Sequence, residues 1–344
     1  MAHGDLAGFV YGLKITVFPL LLIFSGVLMT HFGLKLDRVT LFVFITIIIT
    51  WVIQYNQGID ALVAMGWEYG VQVKNFNHAT PRLPSSVGTP DGYAFLLCIT
   101  GILLEYSTMI RNKKKLKFII KIVTLTFLIL ATIRSALVFW LVFQLLMSFY
   151  YVKKLKYRVK YLVLSIYYML FSTIPIAIIY LSRSSLSSTS SLEDRLSHWG
   201  GNLQPIWSLE GIVGSGLGSV GAASRRTATL GYQSTNYAVD NQFIAFYEQL
   251  GAIGTFCLFS IFSILLFMII YNVKKNNSIN AKVAHCLMVC TFISGFFTNV
   301  LELYPFNLFL WIYIGKALYK IPQHELEKEF VIKKRKKIRK KLVW

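Results

Sequence analysis

Apolar runs close to 20 residues long recur along this chain, and stretches such as TLFVFITIIITW (40–51) allow few environments. About 20 apolar residues in a helix cross the ~30 Å hydrocarbon core of a bilayer. In hydrocarbon the backbone must bond within its own segment, which leaves helices as the way to cross. The composition agrees: of 344 residues 55% are hydrophobic and 15% charged, against about 25% charged in an ordinary soluble domain. The chain reads as all-α, a polytopic transmembrane helical bundle of about nine spans. They fall at 14–32, 39–56, 92–110, 118–132, 135–152, 161–181, 252–272, 283–299 and 306–320.

A net charge of +20 raises the question of nucleic acid, and its distribution answers it. Lys and Arg gather in the connectors 35–38, 111–117, 153–160 and 274–282 and in the tail KKRKKIRKK (333–341). Basic clusters beside spans anchor the cytoplasmic side and attract anionic lipid. No nucleic-acid motif accompanies them, so the expected partners are membrane lipids and no nucleic acid. The basic connectors alternate consistently on one side, apart from Lys14. The N-terminus, the 57–91 excursion, Arg134, the loop 182–241 and the 301–306 turn are then external. Residues 1–320 form the membrane-embedded domain and 321–344 a basic cytoplasmic tail. The N-terminus has neither a basic region nor a small-residue cleavage site, so the first span is expected to act as its own insertion signal. Cys98, Cys257, Cys286 and Cys290 all lie in apolar runs. No His or carboxylate completes a metal set near the Cys286/Cys290 pair, so they read as packing residues and no metal or cofactor is expected.

The large external loop between spans six and seven carries the chemistry. On the same external side, at the junction of the fourth and fifth spans, Arg134 in LATIRSALVFW stands between two apolar runs. Such an arginine either snorkels to the interface or meets an anion, and a guanidinium can pair two phosphate oxygens at once. Arg183 opens the loop. In STSSLEDRLSHWGG, Ser190 and Glu193 form a capping box that predicts a short helix. Arg195, His198 and Trp199 share one face of it. Leu192, Leu196 and Trp199 suit the membrane interface. GIVGSGLGSVG (211–221) lacks the Gly-Lys-Ser/Thr ending of a nucleotide loop. It reads as a flexible turn, with backbone N–H groups approaching a phosphate as the alternative, and Arg225 and Arg226 follow it. Asp240 and Asn241 precede a helix expected to end near Gly251 and Gly254, where Asp240 is either an N-cap or a general base. Glu105, Lys121, Gln144 and Glu302, in or near spans, have packing, snorkelling or supporting roles.

In order and spacing these residues resemble the O-antigen polymerase and ligase superfamily of bacterial surface-polysaccharide enzymes. Ligases of that family carry His-[Asn/Ser/Gln]-x9-Gly-x-x-Gly; here Asp240-Asn241 is followed by nine residues and then Gly251-Ala-Ile-Gly254. The spacing matches and aspartate replaces histidine. Arg134-Ser-Ala-Leu137 resembles the family's arginine before an apolar helix, although its Arg-x3-Leu pattern would put Val138 at the leucine. DRLSHW…SLEGIVGSGLGS, PRLPSSVGTPDGYAFLL and TNVLELYPFNLFLWIYIG are similar to further family segments, so the likeness covers roughly 38–320. Family members have more spans before the first one here, and the chain resembles their C-terminal two-thirds.

The resemblance implies a metal-independent glycosyltransferase of the bacterial cytoplasmic (inner) membrane. Its donor would be a polyprenyl-pyrophosphate-linked oligosaccharide and its acceptor a sugar hydroxyl at the outer face. Asp240, Arg134 and Arg195 would be catalytic; Arg225, Arg226, Arg183, Asn241 and Trp199 would bind substrate. Preorganised cations would stabilise charge on the departing diphosphate, at about 3 kcal/mol per donor. A chain-length regulator or flippase is an expected partner. The favoured reading is a polymerase of lipid-linked repeat units. The rivals are a ligase onto a lipid or protein acceptor, against which Asp240 in place of His counts, and a transporter or flippase, which calls for repeats and helices interrupted at the midplane.

Overall fold

The computed structural model of the chain describes residues 6–76, 80–152, 205–220 and 241–319. Two helices, α1 (Leu6–Thr16) and α2 (Phe18–His31), open the chain. Pro19 sits in the first turn of α2, where its missing N–H costs no intrahelical bond. Next come α3 (Asp37–Gln57) and the short α4 (Ile59–Ala64). A two-stranded antiparallel ribbon follows, β1 (Lys74–Phe76) with β2 (Thr80–Arg82), in which Lys74 lies opposite Arg82. Strands of three residues are too short for alternation to show in a sequence, and the all-α expectation is amended by this ribbon. Three helices then run in succession: α5 (Pro90–Glu105), α6 (Lys114–Ala131) and α7 (Arg134–Val152). Beyond them lie α8 (Leu209–Val213), α9 (Gln242–Asn276), α10 (Ile279–Ser294), a 3-10 turn at Val300–Glu302 and α11 (Phe306–Leu318).

Among the described residues, three segments are long and apolar enough to cross a membrane: Gly8–His31, Asp37–Gln57 and Gln242–Asn276. Arg134–Tyr150, Ile279–Ser294 and Phe306–Leu318 are apolar but shorter. The expected span at 161–181 lies outside the described residues; every other expected span falls on a helix.

The core is built around α5, which packs on α3, α6, α7 and α11. From Tyr93 to Glu105 it is buried on all sides, the pattern of a central helix rather than an amphipathic one. Phe95, Phe139 and Phe306 interlock edge to face with centroids 5.5 to 5.7 Å apart and tie α5 to α7 and α11. The outward surface is apolar as well. Phe24, Phe42, Phe256 and Phe267 are each more than two-thirds exposed, which a water-soluble surface would not tolerate over so wide an area and a lipid-facing one requires. Cys98, Cys286 and Cys290 are buried free thiols. Cys257 departs from the expected packing role: it is exposed, on the outward face of α9.

One helix is broken. Gly251 within α9 has φ 66° and ψ −175°, a combination essentially confined to glycine. The expected helix ending near Gly251 and the expected span starting at 252 are therefore two limbs of one interrupted element.

Candidate functional site

Two arginines meet where α6 gives way to α7. The C-cap of α6 is Thr132, in the left-handed conformation (φ 56°, ψ 21°). Arg82, arriving from β2, holds that turn: its Nε donates to Thr132 Oγ1 and its Nη2 to the Thr132 carbonyl, both at 3.1 Å. A guanidinium can cap a helix end in this way because its N–H groups form a rigid fork. Arg134 is the first residue of α7 and is exposed. A cation at a helix N-terminus adds to positive charge already there, an arrangement that disfavours itself in the absence of an anion. Asp91, in the first turn of α5 behind the Thr89 cap, is the neighbouring carboxylate. Burial pushes the Arg82 guanidinium below its usual pKa, Asp91 pulls it back up, and Arg134 lowers it again. The two cations thus act on each other, and an anion between them would relieve both.

A second constellation surrounds the broken helix. Asn241 is its N-cap, accepting from the Phe243 N–H at 3.0 Å and the Ile244 N–H at 3.3 Å. Its Nδ2 donates to the Phe296 carbonyl at 3.4 Å. The N-cap position is therefore held by Asn241. The glycine-rich segment is docked rather than loose. The Ser215 and Gly216 N–H groups donate to the Glu248 and Gln249 carbonyls at 2.8 and 3.1 Å, and the Gly218 N–H to Gln249 Oε1 at 3.0 Å. These three donors are engaged by α9, so a phosphate approached by them is not the arrangement seen. Gln249 also donates through Nε2 to Glu302 Oε1 at 3.3 Å, joining the segment to the turn before α11.

No protein-family model matches the chain, and no curated protein does. Of the residues expected to be catalytic or to bind substrate, Arg134 and Asn241 are described. Asp240, Arg183, Arg195, Trp199, Arg225 and Arg226 lie outside the described residues. Arg82 is the residue that the sequence reading passed over. It sits 52 positions before Arg134, and the signal that points to it is local: an arginine inside a Pro-flanked segment ahead of a helix start.

Glu105, Lys121 and Gln144 converge elsewhere. Lys121 Nζ donates to Gln144 Oε1 at 2.7 Å, Gln144 Nε2 donates to Glu105 Oε1 at 3.0 Å, and Lys121 lies 3.7 Å from Glu105 Oε2. Glu105 is the last residue of the helix whose first turn holds Asp91. At ~1.5 Å per residue the two carboxylates stand about 21 Å apart along the axis, so this trio is a tie between α5, α6 and α7 and takes no part in the arginine site.

Proposed function

We propose that the chain is a polysaccharide polymerase of the bacterial cytoplasmic membrane. It transfers glycan from a polyprenyl-pyrophosphate-linked donor to the hydroxyl of another lipid-linked repeat unit. About nine spans, the loop 182–241 outside and the basic tail in the cytoplasm complete this reading. The observation that supports it best is the placing of two arginines at one helix junction: Arg82 bonded to Thr132, and Arg134 two residues further on at the start of α7. A diphosphate is an anion such a pair suits, because the Arg134 guanidinium can take two of its oxygens while Arg82, fixed by its bonds to Thr132, adds positive charge beside it. Cations fixed in advance stabilise the charge that develops on the leaving group without reorganising. Asp240 accepts the proton of the attacking hydroxyl, and Arg195, Arg225 and Arg226 add to the diphosphate site.

The ligase reading shares all of this and differs in the acceptor. The transporter reading gains little from the interrupted helix. From 252 to 276 the second limb of α9 runs about 38 Å at ~1.5 Å per residue, longer than the ~30 Å hydrocarbon core, so its break belongs at a membrane boundary and not at the midplane that transport requires.

The test is reconstitution in liposomes with a lipid-linked repeat unit as both donor and acceptor. Wild type should release polyprenyl diphosphate and lengthen the glycan. Arg134→Ala should lose at least about a hundredfold in rate, the cost of removing one such donor. Arg82→Lys, which keeps the charge and loses the fork, should also be slow. Full activity in both variants refutes the diphosphate site. Turnover only with a lipid A-type or protein acceptor selects the ligase.

A further inference from the structure

A surface patch at α8 has no use in the chemistry above. Ile206, Trp207, Leu209 and Val213 are 59, 91, 77 and 59% exposed, four large apolar side chains within eight residues. Glu210, also exposed, supplies the polar side. The patch does not float. Gly214, just after α8, and Gly251, at the break of α9, approach so closely that a Cβ on Gly214 would lie 2.5 Å from the Gln249 carbonyl oxygen and the Gly251 nitrogen. The backbone bonds from Ser215 and Gly216 fasten the same contact.

That contact fixes the depth of the patch. Lys274 and Lys275 close the far end of α9, and lysines there seat at the membrane interface. Gly251 stands 23 residues before Lys274, about 35 Å along the axis at ~1.5 Å per residue. With the lysines at one edge of a ~30 Å core, the break lies at the opposite edge. Immediately beyond it Ile253 and Phe256 are 59 and 73% exposed on the outward side of the span. The apolar surface of the span therefore passes into the apolar surface of α8 at the height where acyl chains meet headgroups. Tryptophan, with an apolar body and one N–H, concentrates at that boundary.

We propose that residues 206–213 are an interfacial anchor that beds Ile206, Trp207, Leu209 and Val213 into the membrane leaflet at the Gly251 end of α9. The occupant of the patch is the lipid surface itself. The anchor holds the break, and with it the Gly214–Val220 segment, at headgroup level. It depends on α9 crossing a membrane and not on any glycosyl transfer.

The experiment uses the full chain in lipid nanodiscs, with the exposed Cys257 replaced by Ser. Trp207→Cys, Leu209→Cys and Glu210→Cys are each labelled with an environment-sensitive fluorophore. Quenching is read for nitroxide near the headgroup, for nitroxide at the acyl terminus and for aqueous iodide. At 207 and 209 the shallow nitroxide should quench at least about twice as strongly as the deep one, as expected for burial of ~5–10 Å into the interface. At 210 iodide should dominate. Iodide quenching at 207 and 209 without lipid quenching would make the patch water-facing and overturn the proposal. Protection from all three quenchers would overturn it too, with another part of the chain or a second copy as the cover. The two sites 207 and 209 are independent reporters should one variant fail to assemble.

Discussion

Replacing Gly251 by alanine tests the interrupted helix directly, and Gly33 supplies the control. Both have positive φ, 66° and 68°, so a side chain strains the backbone at either. Gly33 closes α2 with the bonds of a Schellman turn: Leu34 N–H to the Met29 carbonyl at 2.8 Å and Gly33 N–H to the Thr30 carbonyl at 3.2 Å. Nothing lies within 4 Å of the Cβ that alanine would add there. Gly33→Ala should therefore cost only the left-handed penalty, about 1 kcal/mol. At Gly251 the new Cβ would run into the Ile212 carbonyl oxygen and the Gly214 nitrogen, both backbone atoms. Backbone cannot rotate away as a side chain can. The glycine-only conformation adds about 1–3 kcal/mol. Opening the contact removes the Ser215 and Gly216 hydrogen bonds, at about 1 kcal/mol each. Gly251→Ala should thus lose about 4 kcal/mol in all, three to four times the control. Reversible unfolding in mixed micelles, titrated with SDS, measures both variants on one scale. Equal losses for the two would mean that the Gly214–Gly251 contact contributes nothing, and the depth argument for α8 would fall with it.

Other residues give sharper local tests. Asn241→Ala should cost about 1 kcal/mol in the same unfolding assay, the usual worth of an N-cap. Asn241→Asp, whose oxygen can still accept from Phe243 and Ile244, should recover most of it. Gln144→Leu strips Glu105, itself only 1% exposed, of its donor and should destabilise by about 1–3 kcal/mol. Adding Glu105→Leu and Lys121→Leu should give part of that back, because apolar side chains tolerate burial better than a carboxyl and an ammonium short of partners; a triple variant worse than the single would refute the tie. Thr132→Ala removes one of the two atoms that hold Arg82 and should weaken inorganic pyrophosphate binding without abolishing it, which isothermal titration would register.

The sequence by itself determined the long apolar helices. Apolar runs of membrane length imply helices whatever packs around them, because hydrocarbon leaves backbone groups no other partner. The helix over Asp37–Gln57 and the start of the second limb after Gly251 were legible for that reason. Capping was legible to within one residue: an Asp-Asn pair ahead of QFIAFYEQL marks a helix start, but either side chain can accept the same N–H groups. Tertiary structure alone decided that it is Asn241. It also decided that the glycine-rich stretch from Gly214 to Gly218 is docked, since a glycine run reads the same whether its freedom serves motion or a backbone contact with Gly251. Arg82 and Arg134, and likewise Glu105 with Lys121 and Gln144, are far apart in the chain. The first pair follows from where β2 lies against the α6–α7 junction and the second from which faces of α5, α6 and α7 pack together, and side-chain chemistry carries no record of a neighbour brought in from elsewhere in the chain.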